Sequence, residues 1–377
     1  MSFSFFDSST YDGTTEDIAC DAYHKYKEDV QLMVDIGLVA YRFSISWSRL
    51  IPILTLRCHY LSIWKRTCQP EGVTIYNNLI DELISHGVHP HVILYHCDLP
   101  QALEDEYVGW LSRKIVKDFT AFTDARFKEF GDRVLHWTTM NEANILALGG
   151  YGNGLIPPNR CSAPFRSNCT GGNWSTEVYI VGHNMLLAHS SAVRLYKRKY
   201  KQGFVGISVY GSAYLPYLNS EADVMAVQLA LDFYIGWFIE PLIFGDYPQI
   251  MKKNAGSRLP RFSKSESELV KGSLDFIGLN HYNQVYAKDN PTSLEEDLRD
   301  FTMDTGVEIL RMNLQCLPSQ CCLCQVESHH YLFLVFFWKV LLSRRWFKLL
   351  EAPRSIRVPS SFHLVKGGNS SSDIAFN

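Results

Sequence analysis

The stretch His136-Trp137-Thr138-Thr139-Met140-Asn141-Glu142-Ala143-Asn144 decides how this chain is read. It follows a charged helical run over 118–132 and opens with aromatic and β-branched residues, which suit a strand. It closes on an Asn-Glu pair and then passes into a Gly-rich stretch, Gly149 to Gly154. A carboxylate at the C-terminal end of a strand is where a parallel α/β barrel keeps its chemistry. A strand-terminal Glu can also make a purely structural hydrogen bond, so the rest of the chain has to decide.

Working outward, the same alternation recurs. Apolar residues at helical spacing predict a helix over 21–36, stopped by Gly37. The run 39–47 alternates as a strand and carries Arg42 inside it. A charge in a buried strand is costly unless paired, so Arg42 either points to solvent or serves an anionic site. A helix over 76–86 leads into a strand over 91–96, which ends in the polar cluster His96, Cys97 and Asp98. Helices are predicted over 112–130, 178–200, 223–238 and 266–271, and strands over 204–210 and 275–282. A long Gly/Pro/Asn/Ser loop is predicted over 149–177, and loops of that length in compact domains are usually functional.

Five strands thus alternate with helices, and four carry polar residues at or beyond their C-terminal ends. One rim collects all of them if the sheet is a (β/α)8 TIM barrel, here an incomplete one with about five of eight strands recognisable. An open doubly wound sheet is the alternative. No Gly-rich phosphate fingerprint opens any of the helices, which counts against it.

Composition bounds the function. A formal charge of -3 argues against a nucleic-acid partner. Aromatic residues at 13% suit either stacking on sugars or a large core. Ten cysteines in 377 residues are too dilute for a disulfide scaffold. The apolar run over 331–338 is shorter than the ~20 residues a membrane span needs. No basic flank and apolar core of a secretory signal opens the chain. Asn168-Cys169-Thr170, Asn173-Trp174-Ser175 and Asn369-Ser370-Ser371 are nevertheless glycosylation acceptor triplets.

Seven motifs, in order and at matching spacing, carry a family resemblance. They are YRFSISWSRL at 41–50, YHCDLPQALED at 95–105, GWLSRKIVKDF at 109–119, WTTMNEAN at 137–144, NRCSAPFRSNCTGGN at 159–173, DFYIGWFIEPLIFGDYP at 232–248 and DFIGLNHY at 275–282. Over about 21–52 and 71–295 the chain resembles plant β-glucosidases of glycoside hydrolase family 1, which are eight-stranded barrels. The resemblance implies a β-glucoside substrate, with no cofactor, metal, nucleic acid or membrane, and a secreted, vacuolar or apoplastic setting. It implies that Glu142 is the general acid/base, that Asn141 and His96 bind sugar hydroxyls, and that Tyr282 lies in the same substrate site. It further implies that Arg42, Asn280 and Tyr282 surround the nucleophile, with Arg42 and Tyr282 keeping it ionised. Cys161 and Cys169 would close a disulfide at the site mouth, near glycosylated Asn168 and Asn173.

The chain also departs from the family. The nucleophile's Ile/Val-Thr-Glu-Asn-Gly segment does not occur in these 377 residues, and Glu295, Glu296, Glu308, Glu327 and Glu351 lack its surroundings. The strand with the sugar-binding Gln and the closing strand with the sugar-binding Glu and Trp are not recognisable either. Residues 53–70 replace a Gly/Pro-rich turn. They and the tail 311–377 read as mis-spliced or translated non-coding sequence, which leaves a barrel region over 1–310.

Overall fold

A computed structural model describes residues 21–50, 70–162 and 171–311. The sequence-level features at 53–69, 163–170 and 312–377, Asn168 and Cys169 among them, lie outside the described residues. The elements follow in order: α1 Ala22–Asp35, β1 Ala40–Ser44, α2 Trp47–Leu50, α3 Pro70–Ser85, β2 His89–Ile93, α4 Gln101–Tyr107, α5 Lys114–Phe130, β3 His136–Thr138 and α6 Ala143–Tyr151. Then come α7 Glu177–Lys199, β4 Phe204–Pro216, α8 Glu221–Leu231, α9 Trp237–Phe244, α10 Gln249–Ala255, α11 Lys264–Val270, β5 Phe276–Asp289, α12 Phe301–Asp304 and β6 Val307–Arg311.

The strands form one sheet in sequence order, β1 to β6. The first five run parallel, so every polar strand end reaches the same rim, as the barrel reading requires. The sixth strand is a finding the sequence reading lacks. β6 pairs antiparallel with the second half of β5, from Val285↔Arg311 to Asp289↔Val307. Two further expectations are corrected. The strand expected over 39–47 stops at Ser44, because Trp47 already starts α2. The loop expected from 149 begins at Gly152: Gly149 and Gly150 are the closely packed end of α6, where Cβ atoms would press on Ile156 and Pro157.

Alternation along β1 separates two faces. Phe43 is buried among the helices, while Ala40, Arg42 and Ser44 are exposed on the concave side. Behind the sheet, Trp47 stacks on Phe122 at 4.6 Å between ring centroids, and Trp110 donates its indole N–H to Tyr95 Oη at 2.9 Å. The aromatic excess is therefore largely spent on this core. The helical run Glu221–Phe244 is long and apolar enough to cross a bilayer, yet Phe233, Trp237, Phe238 and Leu242 are buried in the protein.

Two polar clusters lock the helices. Asp304, fully buried, accepts hydrogen bonds from Tyr179 Oη of α7 at 2.6 Å and from Arg258, with Arg299 Nε at 3.3 Å. His189 of α7 is equally buried; its Nδ1 lies 2.6 Å from Thr139 Oγ1 and its Nε2 2.7 Å from the Ser273 carbonyl oxygen. The carbonyl can only accept, so Nε2 carries the proton and Nδ1 accepts from the threonine, which is the neutral imidazole. Burial pushes its pKa from 6.5 to about 4, and burial is also the main reason His91 and His183 fall to about 4.

These shifts set a pH dependence. The unfolded chain binds these protons near pH 6.5 and the folded chain only near pH 4. The stability is therefore complete above pH 6.5 and is lost as pH falls towards 4, by about 3 kcal/mol for His189 alone. Urea unfolding at pH 7 and pH 4.5 should show this loss, and the His189→Gln chain should have the shallower pH slope. Equal slopes would remove His189 from the account.

Candidate active site

The site is built where β3 gives way to α6. Beyond Thr138 the chain bends, and the Asn141 N–H reaches the Tyr95 carbonyl at 2.9 Å. Glu142 then adopts a left-handed backbone, φ 47 and ψ 48, as the residue capping α6. A non-glycine residue in this region carries strain, and such strain gathers at functional sites. Here the turn aims the carboxylate across the rim to β5. Asn144 holds the turn in place: its amide donates to the carbonyls of Tyr210 at 2.9 Å and Tyr234 at 2.8 Å, and its carbonyl accepts from Tyr210 N at 2.9 Å.

β5 supplies the opposing side chains. Asn280 Nδ2 donates to Glu142 Oε1 at 2.7 Å and to Asn141 Oδ1 at 3.0 Å. Tyr282 Oη donates to the same Glu142 oxygen. Tyr282 reaches it because the β4–β5 register slips between Gly211/Ala213 and His281/Gln284, which places Tyr282 and Asn283 opposite Ser212 alone. Such a bulge redirects a side chain beside a site. The tyrosine ring stacks on Tyr210 at 5.3 Å, and Ser212 Oγ donates to Asn283 Oδ1 at 2.6 Å. Burial, then the Glu142 carboxylate, pushes the Tyr282 phenol up to about 12, so it stays a donor throughout the neutral range.

Arg42, which the sequence left to either solvent or an anionic site, meets no carboxylate among the described residues. It lies on the concave face, exposed, and donates to Asn280 Oδ1 at 3.1 Å and to Ser208 Oγ at 3.2 Å. Ser208 faces Gly278 across the β4–β5 ladder, and a Cβ at Gly278 would overlap the serine hydroxyl that Arg42 uses. His96 joins from the end of β2, its Nε2 3.1 Å from Asn141 Nδ2. Asp98 shapes that turn by accepting from the backbone N–H groups of His96 and Trp47.

The structure thus joins Arg42, His96, Asn141, Glu142, Asn280 and Tyr282 in one hydrogen-bonded chain. Sequence reading missed Asn144, Ser208, Tyr210 and Asn283. Asn144 stood inside a quoted motif, but a bulge that sets the other partners leaves no mark in a single sequence. Tyr282, expected beside a nucleophile, bonds Glu142 itself. Among the described residues, no carboxylate other than Glu142 shares a hydrogen bond with Arg42, Asn141, Asn280 or Tyr282. Glu308 is occupied on β6 by Lys288 Nζ at 3.0 Å. In the segment after α6, Asn173 is exposed, while Trp174 is buried. Among the described residues no cluster of three or more His, Cys, Asp or Glu side chains could hold a metal ion.

The sequence model of glycosyl hydrolase family 1 matches residues 2–312. The chain belongs to glycosyl hydrolase family 1. Beta-glucosidase 11 of Arabidopsis thaliana is 55% identical over 318 residues, covering 78% of this family 1 chain and 59% of the relative. A cyanidin 3-O-glucoside 7-O-glucosyltransferase (acyl-glucose) of Delphinium grandiflorum is 54% identical, covering 79% of this chain and 58% of its own length. A rice β-glucosidase mutant in a covalent complex with glucose is 42% identical with a TM-score of 0.75, covering 80% of this chain and 62% of that one. The five parallel strands are therefore part of the family's TIM barrel, and the chain spans about three-fifths of the length of these relatives.

Proposed function

We propose that this family 1 chain carries the acid/base half of a retaining β-glucosidase, with Glu142 as the residue that protonates the glycosidic oxygen and later activates water. The observation that carries it is the strained turn that projects Glu142 from β3 into the Asn141–Asn280–Tyr282 set. Retaining hydrolysis uses two carboxyl groups ~5–5.5 Å apart on opposite sides of the scissile bond. One donates a proton and the other attacks the anomeric carbon. Asn141 and His96 present amide and imidazole groups where a sugar ring would find hydroxyl partners. Arg42, Asn280 and Tyr282 form the wall from which a nucleophile would be addressed. The covalent glucose in the rice relative supports the retaining route.

The supporting frame is read the same way. The boundary between the barrel part, 1–310, and the tail, 311–377, falls near the end of the family match at 312, with Arg311 itself still paired to Val285 in β6. Cys161 pairs with Cys169, and Asn168 and Asn173 take glycans; the exposure of Asn173 suits this.

A second reading is favoured because, among the described residues, Glu142 is the one carboxylate in the hydrogen-bonded set: a sugar-binding relative without turnover. Titrating glucose and an aryl β-glucoside against tryptophan fluorescence, beside a hydrolysis assay, separates the two. Saturable binding weakened by Asn141→Ala with no product release supports the binding protein. Release of glucose that is lost in Glu142→Gln supports the enzyme. No binding of either sugar would remove both.

A further inference from the structure

A second polar cleft lies between the C-terminal end of α9 and the start of α11. Gly245 ends α9 with a left-handed backbone, and its Cα side faces Ser267 and Lys271 of the α11 region. The turn that follows and the segment 256–264 enclose about 460 Å³. That volume falls within the range of small-molecule sites.

The walls differ in character. One is aromatic and fixed: Phe262 stacks on Tyr247 at 4.6 Å, and Tyr247 Oη lies 2.9 Å from His183 Nδ1 behind it. The other carries charge. Lys252, Arg261 and Lys264 line the cleft against one carboxylate, Asp246, which Lys252 already neutralises. Arg261 and Lys264 are exposed and make no ion pair or side-chain hydrogen bond among the described residues. Two uncommitted cations beside a rigid aromatic face are a surplus that the glucoside reading does not use, because a glucoside is neutral.

We propose that this cleft binds a small phosphate or sulfate monoester. The oxyanion meets the planar donor fork of Arg261 and the ammonium of Lys264, and the organic body lies on Phe262 and Pro260. Guanidinium–oxyanion pairs supply charge-assisted, directional bonds, and the aromatic wall shields them from water on one side.

The test uses the purified 377-residue chain with phenyl phosphate, phenyl sulfate and inorganic phosphate as probes, by calorimetry at about 20 mM ionic strength, where screening is weak. Phenyl phosphate is expected to bind with a Kd of about 1 mM or tighter. The Arg261→Gln/Lys264→Gln chain should bind at least about tenfold more weakly at an unchanged melting temperature. Phe262→Leu should weaken phenyl phosphate and leave inorganic phosphate alone. Equal affinity in the double variant, or no saturable binding of either ester, overturns the proposal. Glucose titration at the Glu142 site is independent of all these outcomes.

Discussion

Purified as 377 residues, the chain should hydrolyse a nitrophenyl β-glucoside with kcat below about 0.01 s⁻¹, at least a thousandfold under the ~10 s⁻¹ of a typical enzyme. The reason is chemical. In the role proposed for it, Glu142 gives a proton to the leaving oxygen, but the anomeric carbon then needs an attacking carboxylate from the opposite side. Arg42, which should keep such a carboxylate ionised, instead spends its hydrogen bonds on Asn280 and Ser208. General acid help alone is worth ~10²–10⁴. Glu142→Gln should remove that remainder, most visibly with an alkyl glucoside whose leaving group needs the proton. Turnover at ordinary enzyme rates that disappears in Glu142→Gln, or a covalent glucosyl adduct found by mass spectrometry, would overturn this account.

The largest stability effect is expected at Asp304→Ala. That carboxylate is fully buried and gathers Arg258, Arg299 and the Tyr179 hydroxyl, while its own main-chain oxygen accepts from Asn254 Nδ2. Removing it takes the carboxylate from two guanidinium groups, which keep main-chain acceptors such as the carbonyls of Leu294, Asn254 and Arg299, and strands a buried hydroxyl. Breaking one side of a buried ion pair costs about 3–5 kcal/mol. Denaturant unfolding should register that loss, and Asp304→Asn should recover part of it by keeping an acceptor for Tyr179. A loss below about 1 kcal/mol would mean that water solvates the two arginines and that the cluster is worth no more than a surface pair.

Most of the parallel frame was legible because each strand carries its own hydrophobic signature and each strand end its own polar residues. Glu142, Asn141, Asn280, Tyr282 and Arg42 could be picked out one by one on that basis and through the motifs around them. Their mutual contacts could not. Tyr282 reaches Glu142 through a slip of one residue between β4 and β5, and nothing in the run Asn280-His281-Tyr282-Asn283 announces it. α6 escaped notice because Gly149 and Gly150 look like loop residues, although they are small to admit Ile156 and Pro157. β6 escaped because five residues, Val307–Arg311, gain strand character only from the partner they find in β5.

That short partner governs how the sheet can grow. β6 covers β5 from Val285 to Asp289, on the flank away from β4. Any newcomer seeking main-chain partners on that flank is steered to the earlier half, 276–284, which at ~3.3 Å per residue offers about 30 Å of ladder. Asn280 and Tyr282 sit in this stretch. A segment docking there would slot in directly beside the two side chains that grip Glu142, so β6 works as an end stop that sets the alignment of whatever completes the ring.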